Sequence, residues 1–153
     1  MGYVVVVLAQ TVILPILFGC AKLAAHDGWT IVETFGRWFL FWGVGTRLAL
    51  AGTVQLIKPD FTTQAILGGD SHSGAKLVTQ ELGFANLAMG LGAIAGTFLG
   101  GGLAAAITGG LFMGIAGARH LGQRGQNVKE RVATCTDLLV FVAMAAYAVA
   151  LIR

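Results

Sequence analysis

Between Leu77 and His120 the chain runs for about 44 residues, roughly two membrane spans in length, with Glu81 and Arg119 as its only acidic or basic side chains besides the closing histidine. A stretch that long and that apolar has few places to go other than lipid. Gly100-Gly101-Gly102 stands in its middle, so the spacing predicts two helices joined by a tight hairpin. The rest of the chain repeats the theme. Apolar runs cover Tyr3 to Ala24, about Val32 to Ile57, and Val132 to Ile152. His26-Asp27-Gly28, the polar glycine-rich stretch Lys58 to Lys76 and the polar run Gly122 to Arg131 separate them. Pro15 falls inside the first run, which membrane helices tolerate.

Composition agrees. Hydrophobic residues make up 56% of the 153 and charged residues 11%, where a soluble domain is about a quarter charged. So few charges cannot cover the surface of a small soluble protein, which excludes a soluble enzyme and a disordered chain. The reading is an all-α integral membrane bundle, one domain over 1–153. Its five helices run over about 3–24, 32–57, 77–99, 103–120 and 132–152, and a glycine-rich hairpin joins the third and fourth. Four spans, with the first segment lying at the interface, is the alternative. The start lacks a basic region, so the first helix reads as a retained span and not a cleaved signal.

The net charge of +3 does not mark a nucleic-acid binder, because the basic residues scatter over loops and helix ends. They do orient the chain. Lys58, Lys76, Arg119, Arg124, Lys129 and Arg131 fall on the side of the 58–76 and 121–131 loops, against Lys22, Arg37 and Arg153 on the other. That bias puts the first side, and with it the N-terminus, in the cytoplasm. Cys20 and Cys135 sit in apolar runs and read as free thiols, with a disulfide between them as the alternative; no CxxC or metal-spaced Cys/His set exists.

Charges inside a bilayer cost about 2.5–3.5 kcal/mol each on insertion scales, so each needs a partner or a use. The costly groups are Gln10, Arg47, Gln55, Glu81, Asn86, Arg119, His120 and Asp137. At about 1.5 Å per residue, Asp137 lies ~8 Å, Gln10 ~10 Å and Arg47 ~15 Å from the cytoplasmic ends of their helices. Nearly all therefore share the cytoplasmic half. Two readings follow. Arg47 with Asp137, and Arg119 with Glu81, are ion pairs that hold helices in register. Or Arg47, Glu81, Asn86, Arg119, His120 and Asp137 line a polar pocket open to that side and able to handle protons or a polar headgroup. Glu33 and Arg37 read as a surface i,i+4 pair, and Trp29, Trp38 and Trp42 as interfacial anchors. His26 and His72 are loop residues, and three dispersed histidines make no metal site.

Glycine recurs every four residues at Gly92, Gly96 and Gly100, and again at Gly110 and Gly114. Such spacing lets helices approach closely in lipid, either within the chain or at a subunit interface.

The runs Gly36-Arg37-Trp38-Phe39-Leu40-Phe41-Trp42-Gly43-Val44-Gly45 and Glu81-Leu82-Gly83-Phe84-Ala85-Asn86, with His120 and Asp137, resemble a family of small bacterial five-helix membrane proteins of unknown function. That family carries an E-x-G-x-A-N helix, a later Gly-His step and an aspartate in its last span. Here Ala118-Arg119-His120 stands where the Gly-His step is expected. More distantly, helices 2 to 5 resemble the DoxX-type four-helix fold, which is associated with quinone-linked oxidoreductase complexes. The closer resemblance implies the fold more than an activity; small size, the absence of a redox motif, the close-packing glycines and the DoxX likeness together point to a non-catalytic subunit of a larger complex in the bacterial inner membrane, electron-transfer or quinone-linked. The one-sided polar cluster favours instead a small membrane enzyme or carrier acting on a lipid-soluble substrate. A homo-oligomeric channel ranks last, for want of a pore-lining stripe. No cofactor motif is evident; bound lipid or quinone, and other membrane subunits or further copies of the chain, are the expected companions.

Overall fold

The computed structural model describes residues 2–25, 28–66, 73–123 and 125–153. Within them the chain is a bundle of five helices long and apolar enough to cross a membrane. These are α1 (Gly2–Ala24), α2 (Ile31–Ile57), α3 (Ser73–Leu99), α4 (Gly102–Leu121) and α5 (Val128–Ile152). The turn at His26-Asp27, His72 with most of its glycine-rich loop, and Arg124 lie outside the described residues.

The helix starts follow from capping chemistry that reaches into the polar runs. Thr30 begins α2: its hydroxyl accepts from the Glu33 N–H at 3.2 Å, and the Glu33 carboxylate accepts from the Thr30 N–H at 2.9 Å. Asn127 and Glu130 repeat the arrangement at α5, at 3.0 and 2.7 Å. Each reciprocal cap satisfies two otherwise orphaned N–H groups. Hence α5 begins at Val128, a turn earlier than its apolar run at Val132. The third helix, α3, also starts ahead of its apolar run at Leu77, at Ser73. The stretch read as a loop after Lys58 is also partly wound, over Phe61–Ile66. The hairpin between α3 and α4 turns where expected, with Gly100 and Gly101 at φ +92° and +83°, a left-handed conformation that favours glycine.

A Glu33–Arg37 pair is not among the ion pairs of the described residues. Glu33 is consumed by the cap, and the Arg37 guanidinium lies over the Trp29 ring at 4.5 Å and the Phe98 ring at 5.7 Å. Trp38 and Trp42 sit in a ring cluster with Phe18, and Phe41 joins this cluster to Phe98. Two of the three tryptophans expected as anchors thus pack helix to helix. Cys20 and Cys135 are free thiols on exposed positions.

Packing centres on α2, the most buried of the five. Leu40, Val44 and Leu48 meet Ala93, Ala106, Met113, Val140, Met144 and Tyr147 in the core. The closest backbone approach is α2 against α3. A Cβ on Gly52 would stand 2.6 Å from the Gly83 carbonyl and the Leu87 nitrogen, and one on Gly90 would stand 2.7 Å from the Gly45 carbonyl. A second seam joins α4 to α5, with Gly110 against Met144 and Gly114 against Phe141. The expected glycine packing inside the α3–α4 hairpin is only partly met: Gly96 touches Ala105, Gly100 serves the turn, and Gly92 faces open space. Gly92 follows Gly90 by two residues, about 200° round the helix, so turning Gly90 to α2 turns Gly92 outward. The first helix packs on α2, with Gly19 against Phe35 and Gln10 hydrogen-bonded to Thr46.

Candidate functional site: a charged cavity among the helices

Two helices depart from regular winding at the same level. α1 widens to π-type turns over Ala9–Ile13, and α2 does so over Phe39–Thr46. Such turns add a residue to the hydrogen-bonded ring, re-aim the side chains that follow, and recur at functional sites. Here the two widened segments are tied together. Gln10 Nε2 donates to Thr46 Oγ1 at 3.1 Å, and the Thr46 hydroxyl donates to the Trp42 carbonyl at 2.9 Å. The residue after the widened stretch of α2 is Arg47.

Arg47 points into the bundle and is 9% exposed; Asp137 of α5 faces it and is 6% exposed. Arg47 Nη2 lies 2.5 Å from Asp137 Oδ1. A buried pair like this roughly offsets its own desolvation, but either charge alone would be stranded. Nearby, Asn86 Nδ2 donates to Gln55 Oε1 at 2.8 Å, linking α3 to the end of α2 along the Gly52–Gly83 seam. His120 closes α4: its Nδ1 lies 2.9 Å from Gln123 Oε1, and its backbone carbonyl accepts from Gln126 Nε2.

These groups surround a cavity of about 270 Å³. Of the six polar residues singled out from sequence, Arg47, Asn86, His120 and Asp137 line it. Glu81 and Arg119 do not. Both are exposed, and the expected Arg119–Glu81 pair is not among the ion pairs of the described residues. The reason is angular. Glu81 precedes Asn86 by five residues, about 140° away round α3, and Arg119 sits about 100° from His120 on α4. Gln10 and Gln55, noted among the costly groups, are in the wall, and so are Tyr3 and Thr62, which sequence reasoning passed over. Tyrosine and threonine are cheap to embed and raise no flag. Thr62 arrives because the wound segment after Asp60 folds back under the bundle, where Asp60 holds Lys76 at 3.0 Å.

Two polar atoms at the cavity residues have no hydrogen-bond partner in spite of full burial: Arg47 Nη1 and Asn86 Oδ1. Buried donors and acceptors are rarely left so. Among the described residues no three His, Cys, Asp or Glu side chains converge on one point. The arrangement can therefore donate from Arg47, accept at Asn86, and hold a small polar group against a wall that is otherwise mainly apolar. Comparison with curated proteins and with solved structures gives no match. A family model described as a family of unknown function, DUF6790, matches residues 4–152, and the chain belongs to that family.

Proposed function

We propose that this membrane protein binds a lipid-soluble molecule by its polar head in the Arg47–Asp137 cavity, as a small carrier or enzyme of the bacterial inner membrane. The observation that carries the reading is the unused Arg47 Nη1 beside a satisfied ion pair, in a cavity large enough for more than one water. An ion pair that only clipped helices together would gain from a filled, dry surround. The excess of lysine and arginine at this end of the bundle supports reading the cavity as cytoplasmic-facing, with the N-terminus inside.

The test is chemical. Protein purified in mild detergent is extracted and its small molecules are identified by mass spectrometry, beside an Ala116→Phe variant that fills the cavity wall. The reading expects one amphiphile per chain in the wild type and its loss in the variant. Empty wild-type protein, or equal retention by both, would overturn it.

A second observation favours a second reading. Between α3 and α4 lies an open groove lined by Ala88, Gly92, Ala95, Gly96, Ala104 and Thr108. Small residues on an outward face let a foreign helix approach closely, as a non-catalytic subunit of a larger complex would need. The likeness to the DoxX-type fold would make that complex quinone-linked. Native purification with a fixed set of foreign subunits would support this reading; a chain that purifies alone would not.

A further inference from the structure

Resting on the cavity reading above, we infer that the preferred ligand has an uncharged, hydroxyl-bearing head, an alcohol or a phenol on an apolar tail, and that anionic heads are rejected. Charge comes first. Inside the cavity Arg47 is already matched by Asp137 at 2.5 Å; Tyr3, Gln10, Gln55, Asn86 and Thr62 bring only amides and hydroxyls, and His120, at the end of α4, has its Nδ1 on Gln123 Oε1 at 2.9 Å. A carboxylate or phosphate entering would compete with Asp137 for the same guanidinium and leave one anion unpaired in low dielectric. An ammonium would do the reverse to Arg47. Either costs more than the contact returns.

Hydrogen bonding narrows the class further. Of the three buried atoms without a partner among the described residues, Trp42 Nε1 lies outside the cavity lining, and the two at cavity residues are a donor, Arg47 Nη1, and an acceptor, Asn86 Oδ1. A carbonyl or ether can only accept and an ammonium can only donate. A hydroxyl does both, so one hydroxyl, or two on one ring, can serve the pair. Size is compatible: an engineered cavity of about 150 Å³ takes benzene, so about 270 Å³ holds one substituted ring. The tail has an exit. Val6, Leu50 and Leu82 line the cavity and are also 41%, 44% and 39% exposed on the outside of the bundle, so this wall opens toward lipid.

Competition with three probes of one tail length tests the class. The full chain in detergent micelles is mixed with equimolar 4-nonylphenol, 4-nonylanisole and 4-nonylbenzoate, and adducts are counted by native mass spectrometry. The phenol should exceed each competitor by roughly tenfold, the worth of one good hydrogen bond. Asn86→Leu should shrink the phenol-over-anisole preference while the anisole still binds, and Ala116→Phe should abolish all adducts. If the benzoate equals or exceeds the phenol, or the anisole equals it, the inference about the head fails while the cavity still binds ligands. If no probe binds, or Ala116→Phe changes nothing, the cavity reading fails and takes the inference with it. The wild-type competition decides the matter even if Asn86→Leu does not fold.

Discussion

An arginine halfway along a membrane helix is the residue on which this molecule turns. Alone it would be too expensive to keep; opposite Asp137 at 2.5 Å it is matched. Removing either partner strands the other, so Arg47→Ala or Asp137→Ala should each cost about 3–5 kcal/mol of stability. The double change Arg47→Met with Asp137→Leu should recover most of that. Denaturant unfolding in micelles measures both; a double variant as unstable as the singles would mean that the two residues do not act as a pair. This pairing was legible from sequence because cost and depth point to it without reference to helix phase. The same arithmetic misplaced Glu81 and Arg119, since depth along an axis says nothing about facing. Tyr3 and Thr62 left no trace, because neither is costly enough in lipid to demand an explanation.

At the scale of elements, the α2–α3 seam carries the closest packing, through Gly45, Gly52, Gly83 and Gly90. A leucine at Gly52 or Gly90 would drive a branched side chain into facing backbone, which cannot yield as a side chain can. Overpacking of this kind costs about 1–3 kcal/mol and occasionally more, so folded yield should fall in both variants. Gly92→Leu should leave yield and melting temperature near wild type, because a Cβ there meets nothing within 4 Å. Size-exclusion profiles and thermal unfolding compare the three; a Gly92 variant as damaged as the others would show that a partner covers that face. The existence and order of the helices were readable from apolar run length. Their starts were missed by a turn where Asn127 and Glu130 cap α5, although Asn-x-x-Glu is a sequence signature. The widened turns at Ala9–Ile13 and Phe39–Thr46 were not readable at all, since nothing in a run of apolar and glycine residues distinguishes one hydrogen-bond ring size from the next.

The whole molecule is polar at one end of its interior and aromatic toward the other, with a cavity in the polar half. The proposed orientation, with the N-terminus inside, rests on the lysine and arginine bias. In a chain with Cys20 and Cys135 replaced, a single cysteine at exposed Gly74 should react with an impermeant maleimide only from the cytoplasmic side; labelling in intact cells would invert the topology. The central claim, that the Arg47–Asp137 cavity is a ligand site, is tested most directly by an experimental density map of the protein in lipid nanodiscs, at side-chain resolution. The account predicts Arg47 turned inward onto Asp137, with elongated non-protein density reaching from Arg47 Nη1 and Asn86 toward Val6, Leu50 and Leu82. An empty or collapsed cavity, or Arg47 turned out toward lipid or another subunit, would contradict it.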